Sequence, residues 1–115
     1  MKTLLESQPG WVVCGEARTG LEAITLAGEL KPDIVILDIS MPDLNGVEAA
    51  RKIRKILGTA EILILTMHHS DQLIREITDA GARGYIVKSD SDRDLISAVQ
   101  TLAKHKPFST LMQQK

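Results

Sequence analysis

Asp33-Ile34-Val35-Ile36-Leu37-Asp38-Ile39-Ser40-Met41-Pro42-Asp43-Leu44-Asn45-Gly46 is the stretch that decides how the chain folds. Its first half is apolar at every position between two carboxylates. A strand with one wet face alternates apolar and polar residues. A strand that is apolar throughout must be covered on both faces, as in a parallel sheet. Ile62-Leu63-Ile64-Leu65 has the same character, and Trp11-Val12-Val13-Cys14 and Gly84-Tyr85-Ile86-Val87 are two further short apolar runs. Asn45-Gly46 supplies turn chemistry after the first stretch.

Helical patterns separate these runs. Thr19-Gly20-Leu21-Glu22 carries an N-cap residue and a Glu three positions later, a capping box. Leu21, Ile24, Leu26 and Leu30 follow at roughly helical spacing. Val47, Ala50, Ile53, Ile56 and Leu57 form a second stripe. Arg51, Lys52, Arg54 and Lys55 fill its outer face, a solvated basic face suited to a helix C-terminus. Ser70-Asp71 opens a third helix, with Leu73, Ile74 and Ile77 inside and Gly81 as its stop. A fourth starts near Ser91-Asp92, carries Leu95, Ile96, Val99 and Leu102, and ends near His105 or Lys106, before Pro107. Strand and helix thus alternate with short connections. Right-handed crossovers turn that order into an α/β fold, a doubly wound parallel sheet. Leu4-Leu5 reads as the tail of one more helix, with no strand before it.

Bulk properties exclude several classes. The 115 residues suit one domain. A formal net charge of −1 gives no support for nucleic-acid binding by bulk electrostatics. No apolar run approaches a membrane span, and the N-terminus is too short and polar for a signal peptide. Cys14 is the single cysteine, which rules out a disulfide framework, and it reads as a small buried apolar residue. The expected compartment is the cytoplasm.

In an open parallel α/β sheet, ligands bind outside the carboxyl ends of the strands. Three runs end there on Asp38, Thr66 and Lys88. A carboxylate, a hydroxyl and an ammonium at one sheet edge suit phosphoryl transfer to the carboxylate. The Asp oxygen is the nucleophile, the Lys neutralises phosphoryl charge, and the hydroxyl donates a hydrogen bond.

Asp33 to Gly46, Leu63-Ile64-Leu65-Thr66-Met67-His68 and Gly81-Ala82-Arg83-Gly84-Tyr85-Ile86-Val87-Lys88 together resemble the receiver domains of two-component response regulators, most closely the NarL/LuxR-type subfamily. The resemblance covers nearly the whole chain. It implies a flavodoxin/CheY-like fold with sheet order 2-1-3-4-5. It implies Asp38 as phosphoacceptor, with Thr66 and Lys88 binding the phosphoryl group and Tyr85 as the switch ring. It implies Mg2+ held by Asp38 and the Ser40 backbone carbonyl. Met67 and His68 would flank the site. A histidine kinase would supply the phosphoryl group, and DNA would be met only through an output domain that this sequence does not contain. The chain would be a signalling switch and not an enzyme with turnover. Residues 1–106 would form the receiver domain and residues 107–115 the start of a linker.

The sequence departs from that pattern in three ways. The acidic pair that completes the family's Mg2+ site is absent, because the sequence begins within the first helix. Either the natural protein is longer or the metal site is weakened. The first, central strand is also absent, which leaves strand 11–17 without a neighbour and the edge of 34–36 exposed. The expectation is that this gap closes by pairing with a second copy, by pairing 11–17 directly onto 33–37, or by aggregation. Ser89 stands where many receivers have Pro, and a cis bond before Ser would cost about 2.5–4 kcal/mol.

Taken singly, each residue has a plainer reading: Asp38 a turn former, Thr66 a cap, Lys88 a surface lysine, Tyr85 and Trp11 packing. His68-His69 are sequence neighbours and would not converge on a metal. The competing function is a degenerate, non-phosphorylated receiver used for dimerisation. A small α/β enzyme finds no glycine-rich phosphate loop or nucleophile elbow to support it.

Overall fold

The two apolar runs become adjacent parallel strands, β1 (Ile34–Asp38) and β2 (Glu61–Thr66), and β3 (Gly84–Val87) joins on the far side of β2. This computed structural model describes residues 2–39, 45–67, 70–88, 91–105 and 108–109. A two-residue strand, β4 (Phe108–Ser109), pairs parallel with β3, giving the sheet order β1-β2-β3-β4. In register, Asp38 lies opposite Leu65 and Thr66 opposite Val87. Around the sheet stand α1 (Lys2–Glu6), α2 (Gly20–Leu30), α3 (Gly46–Ile56), α4 (Asp71–Asp79) and α5 (Ser91–Ala103).

Successive strand residues point to opposite faces, and both faces are covered. Leu37, Ile62, Ile64 and Tyr85 pack with Ala23 and Ala27 of α2, Ala49, Ala50 and Ile53 of α3, and Ile77 of α4. Leu63, Leu65 and Ile86 pack with Leu95, Ala98, Val99 and Leu102 of α5, joined by Leu4 and Leu5 of α1. The continuous apolar sequence of β1 and β2 is therefore a requirement of two cores. Small residues dominate the facing sides of α2 and α3, which lets the two helices pack closely together while α3 lies against β1 and β2.

The caps follow the sequence signals. The Thr19 hydroxyl accepts from the Glu22 N–H, and the Glu22 carboxylate reaches back to the Arg18 N–H. Ser70 caps α4 through the Leu73 N–H, and Gly81 follows that helix at φ +99°, the left-handed region that favours glycine. Arg54 ties two helix ends together. Its guanidinium donates to the Leu57 and Gly58 carbonyls beyond α3, and to the Gly81 carbonyl beyond α4.

Two expectations change. Residues 11–17 form no strand and do not pair onto β1. Strand structure belongs to a pair of segments, and among the described residues no strand lies on that side of β1. The segment runs as irregular chain, with Trp11 partly buried against the α5-side core, as the packing reading expected. Val12 is exposed, and so is Cys14, which was expected to be buried, because no strand pairing draws the segment into a core. Between it and the free edge of β1 lies an open groove of about 730 Å³, lined by Ile34, Val35, Ile36, Leu26 and Val13 among others. The second change is β4, which falls where the sequence suggested only linker. The peptide bond before Ser89 lies outside the described residues.

Candidate functional site at the carboxyl edge of the sheet

Parallel strands deliver their C-termini to one edge, so Asp38, Thr66 and Lys88 arrive together without any long-range design. Asp38 is the last residue of β1, Thr66 the last of β2, and Lys88 follows β3 directly. The Lys88 ammonium forms an ion pair with Asp38 Oδ2, reaching across β2 to do so. Both side chains are about one third exposed, at 32% each. That exposure screens the pair, so it adds little to stability. Its significance is chemical: a cation sits against the carboxylate that ends β1, at the edge where parallel strands present their carboxyl ends.

Thr66 is buried at 2% exposure and makes further interactions of its own. It shares strand parity with Ile62 and Ile64, which face α3 and α4. Tyr85 lies opposite Ile64 in register and is buried in that same core. Thr66 and Tyr85 therefore occupy the same side of the sheet, one strand apart and offset by two residues. Met67 follows Thr66 and is exposed. Ser40 and His68 lie outside the described residues.

One feature of the site escaped the sequence reading. Asn45-Gly46 is more than turn chemistry. The Asn45 side chain caps α3 by accepting from the Glu48 N–H, and Gly46 sits against the end of β1. A Cβ on Gly46 would stand 2.8 Å from the Asp38 carbonyl oxygen and 2.9 Å from the Ile39 Cα. The Gly46 N–H donates to the Ile39 carbonyl. The start of α3 is thus pressed onto the backbone that carries Asp38. Only the dipeptide itself, placed before a helical stripe, hinted at this.

Mg2+ demands near-octahedral oxygen coordination and is usually held through one or two carboxylates. Among the described residues no group of three or more His, Cys, Asp or Glu gathers to hold a metal. Asp38 offers one carboxylate, already engaged by Lys88. These residues alone do not fit a complete Mg2+ site, and no step of the chemistry is assigned to the ion. Among the described residues no helix is long and apolar enough to cross a membrane.

Comparison with known proteins bears on this geometry. The family model described as response regulator receiver domain matches residues 1–100. The response regulator protein VraR of Staphylococcus aureus is 38% identical over 104 residues, covering 90% of this chain and 50% of its own length. The chain therefore spans about half the length of the curated relatives it matches. Among solved structures, a LuxR-family two-component response regulator from Aurantimonas sp. SI85-9A1 superposes with a TM-score of 0.87 at 37% identity, covering 93% of this chain and 76% of that one. The response regulator domain of Thermotoga maritima CheB gives a TM-score of 0.82 at 30% identity, over 92% of this chain and 87% of that one.

Proposed function

Because this chain belongs to the response regulator receiver family, we propose that Asp38 accepts a phosphoryl group and that Thr66, Lys88 and Tyr85 convert its arrival into a change of conformation. The observation that carries the reading is the Lys88–Asp38 ion pair at the strand ends, with Thr66 on the strand between them. An Asp38 carboxylate oxygen attacks phosphorus in a phosphohistidine of a histidine kinase. The P–O bond forms as the P–N bond breaks, and the departing imidazole takes up a proton. Lys88 then transfers its attraction from the carboxylate to the phosphoryl oxygens, and the Thr66 hydroxyl donates to one of them. Thr66 moves toward the phosphoryl group and vacates space on the face it shares with Tyr85. The ring follows, and the population shifts toward the second state.

The rest of the reading concerns partners. The switch would govern transcription through an output domain outside this sequence, in keeping with the LuxR-family name of the Aurantimonas structure. Any Mg2+ would be held by Asp38 and the Ser40 carbonyl only together with donors beyond these, and the protein would act in the cytoplasm. Self-association through the free edge of β1 is part of the same proposal. A second reading, a non-phosphorylated interaction module, draws support from the lack of a metal-holding acidic group among the described residues.

Intact-mass spectrometry after incubation with acetyl phosphate, with and without added Mg2+, separates them. The expected result is an adduct of one phosphoryl group on the parent chain and none on Asp38→Asn. An unmodified parent under both conditions would sink the phosphoacceptor reading of this chain and leave the interaction module.

A further inference from the structure

At the opposite edge of the sheet, far along β2 from Thr66, the strand begins with a carboxylate that the phosphoacceptor chemistry does not use. Glu61 is buried at 4% exposure. Its Oε2 lies 2.6 Å from His105 Nδ1 and 3.4 Å from an Arg83 guanidinium nitrogen. Its Oε1 is buried with no hydrogen-bond partner among the described residues. A carboxylate withdrawn from water this far needs compensation, and the shorter of its two contacts comes from His105.

His105 stands where the chain leaves α5. Its N–H donates to the Leu102 carbonyl, and its φ of +60° puts the backbone in the left-handed region. A non-glycine residue held there is strained unless something fixes it. The chain then reappears as β4, with Phe108 opposite Gly84 and Ser109 opposite Tyr85 on the edge of β3. Arg83 immediately precedes β3. The three side chains therefore tie the start of β2, the start of β3 and the exit from α5 into one knot.

We propose that Glu61, Arg83 and His105 form a latch that holds the outgoing segment against the edge of β3, beside Tyr85. Glu61 is the buried anchor, and His105 is the removable catch, with its side chain 65% exposed. Arg83 is the standing counter-charge that keeps Glu61 paired when the catch is open. With the latch closed, the main-chain edge of β3 is covered by this chain's own β4. With it open, that edge is free. The device needs no phosphorylation of Asp38 and is tested without it.

Hydrogen–deuterium exchange on the full chain reads the latch directly. In His105→Ala, amides at the end of α5 and in β4 should exchange roughly tenfold faster, the effect of losing one charge-assisted hydrogen bond. Amides of β1 and β2 should keep their protection. Glu61→Gln retains the shape of the anchor and should loosen the same segment. Adding His105→Ala to it should then cause little further change, because both variants break one contact. Unchanged exchange in β4 with His105→Ala would overturn the proposal. So would a rise spread evenly over the whole sheet, or full additivity of the two substitutions.

Discussion

Replacing Gly46 with alanine adds one methyl group where no side chain can move aside. The new Cβ would lie 2.8 Å from the Asp38 carbonyl oxygen, 2.9 Å from the Ile39 Cα and 3.1 Å from the Asp38 carbonyl carbon, all backbone atoms. Relief must come from shifting α3 off β1 or from bending the strand end that carries Asp38. Overpacking of this kind costs about 1–3 kcal/mol, while a Gly→Ala change in compatible backbone returns about 0.4–1 kcal/mol. The net expectation is a loss of about 1–2 kcal/mol. At roughly 4 °C per kcal/mol for a domain of this size, the midpoint of thermal unfolding should fall by about 4–8 °C. Urea denaturation should show a lower midpoint with an unchanged slope. Acetyl phosphate labelling of Asp38 should slow, because the nucleophile is carried on the displaced backbone. Gly28→Ala is the internal control. It lies inside α2 with nothing within 4 Å of the added Cβ, so it should stabilise by about 0.5–1 kcal/mol. If Gly46→Ala matched its parent within about 0.5 kcal/mol, the usual scatter of surface substitutions, the idea that α3 braces the acceptor strand would be wrong.

Three further substitutions probe other parts of the argument. Arg54→Ala removes donors to three carbonyls at two helix ends. It should cost about 2–3 kcal/mol in urea unfolding, and Arg54→Lys should not restore it, because a single ammonium lacks the fork. Ile53→Ala, at a site with 0% exposure between α3 and the sheet, should cost about 2–5 kcal/mol by calorimetry. Lys88→Ala should change stability by less than about 1 kcal/mol, since its pair with Asp38 is partly exposed. The same variant should hold less phosphoryl label on Asp38 in an intact-mass time course.

What the sequence revealed was whatever depends on near neighbours. The apolar run before Asp38 announced a strand covered on both faces, and 84–87 reads as a strand and is one. Thr19 and Ser70 announced their caps because an N-cap bond spans only a few residues. Asp38 and Lys88 could be brought together in thought because parallel topology sends strand ends to one edge. The reading failed at Trp11-Val12-Val13-Cys14. Its apolar content suits a strand, but a strand exists only beside a partner, and composition cannot supply one. Arg54 looked like part of a solvated basic face, since the contact that draws it inward, to the Gly81 carbonyl, spans 27 residues. Glu61 directly precedes the apolar run Ile62 to Leu65, and nothing near it in sequence marks it as buried. Its burial depends on Arg83 and His105, which lie 22 and 44 residues further along.

Surface that is already wet cannot be wetted again by unfolding. The heat-capacity increment of unfolding scales with newly exposed apolar area, and so does the denaturant slope. The flank of β1 along the groove, together with exposed Val12, already meets solvent in the folded chain. The increment should therefore fall below the roughly 12–15 cal/mol/K per residue of ordinary domains. A smaller increment flattens the curve of stability against temperature. The open groove thus widens the range of temperature over which the stability of this chain changes little.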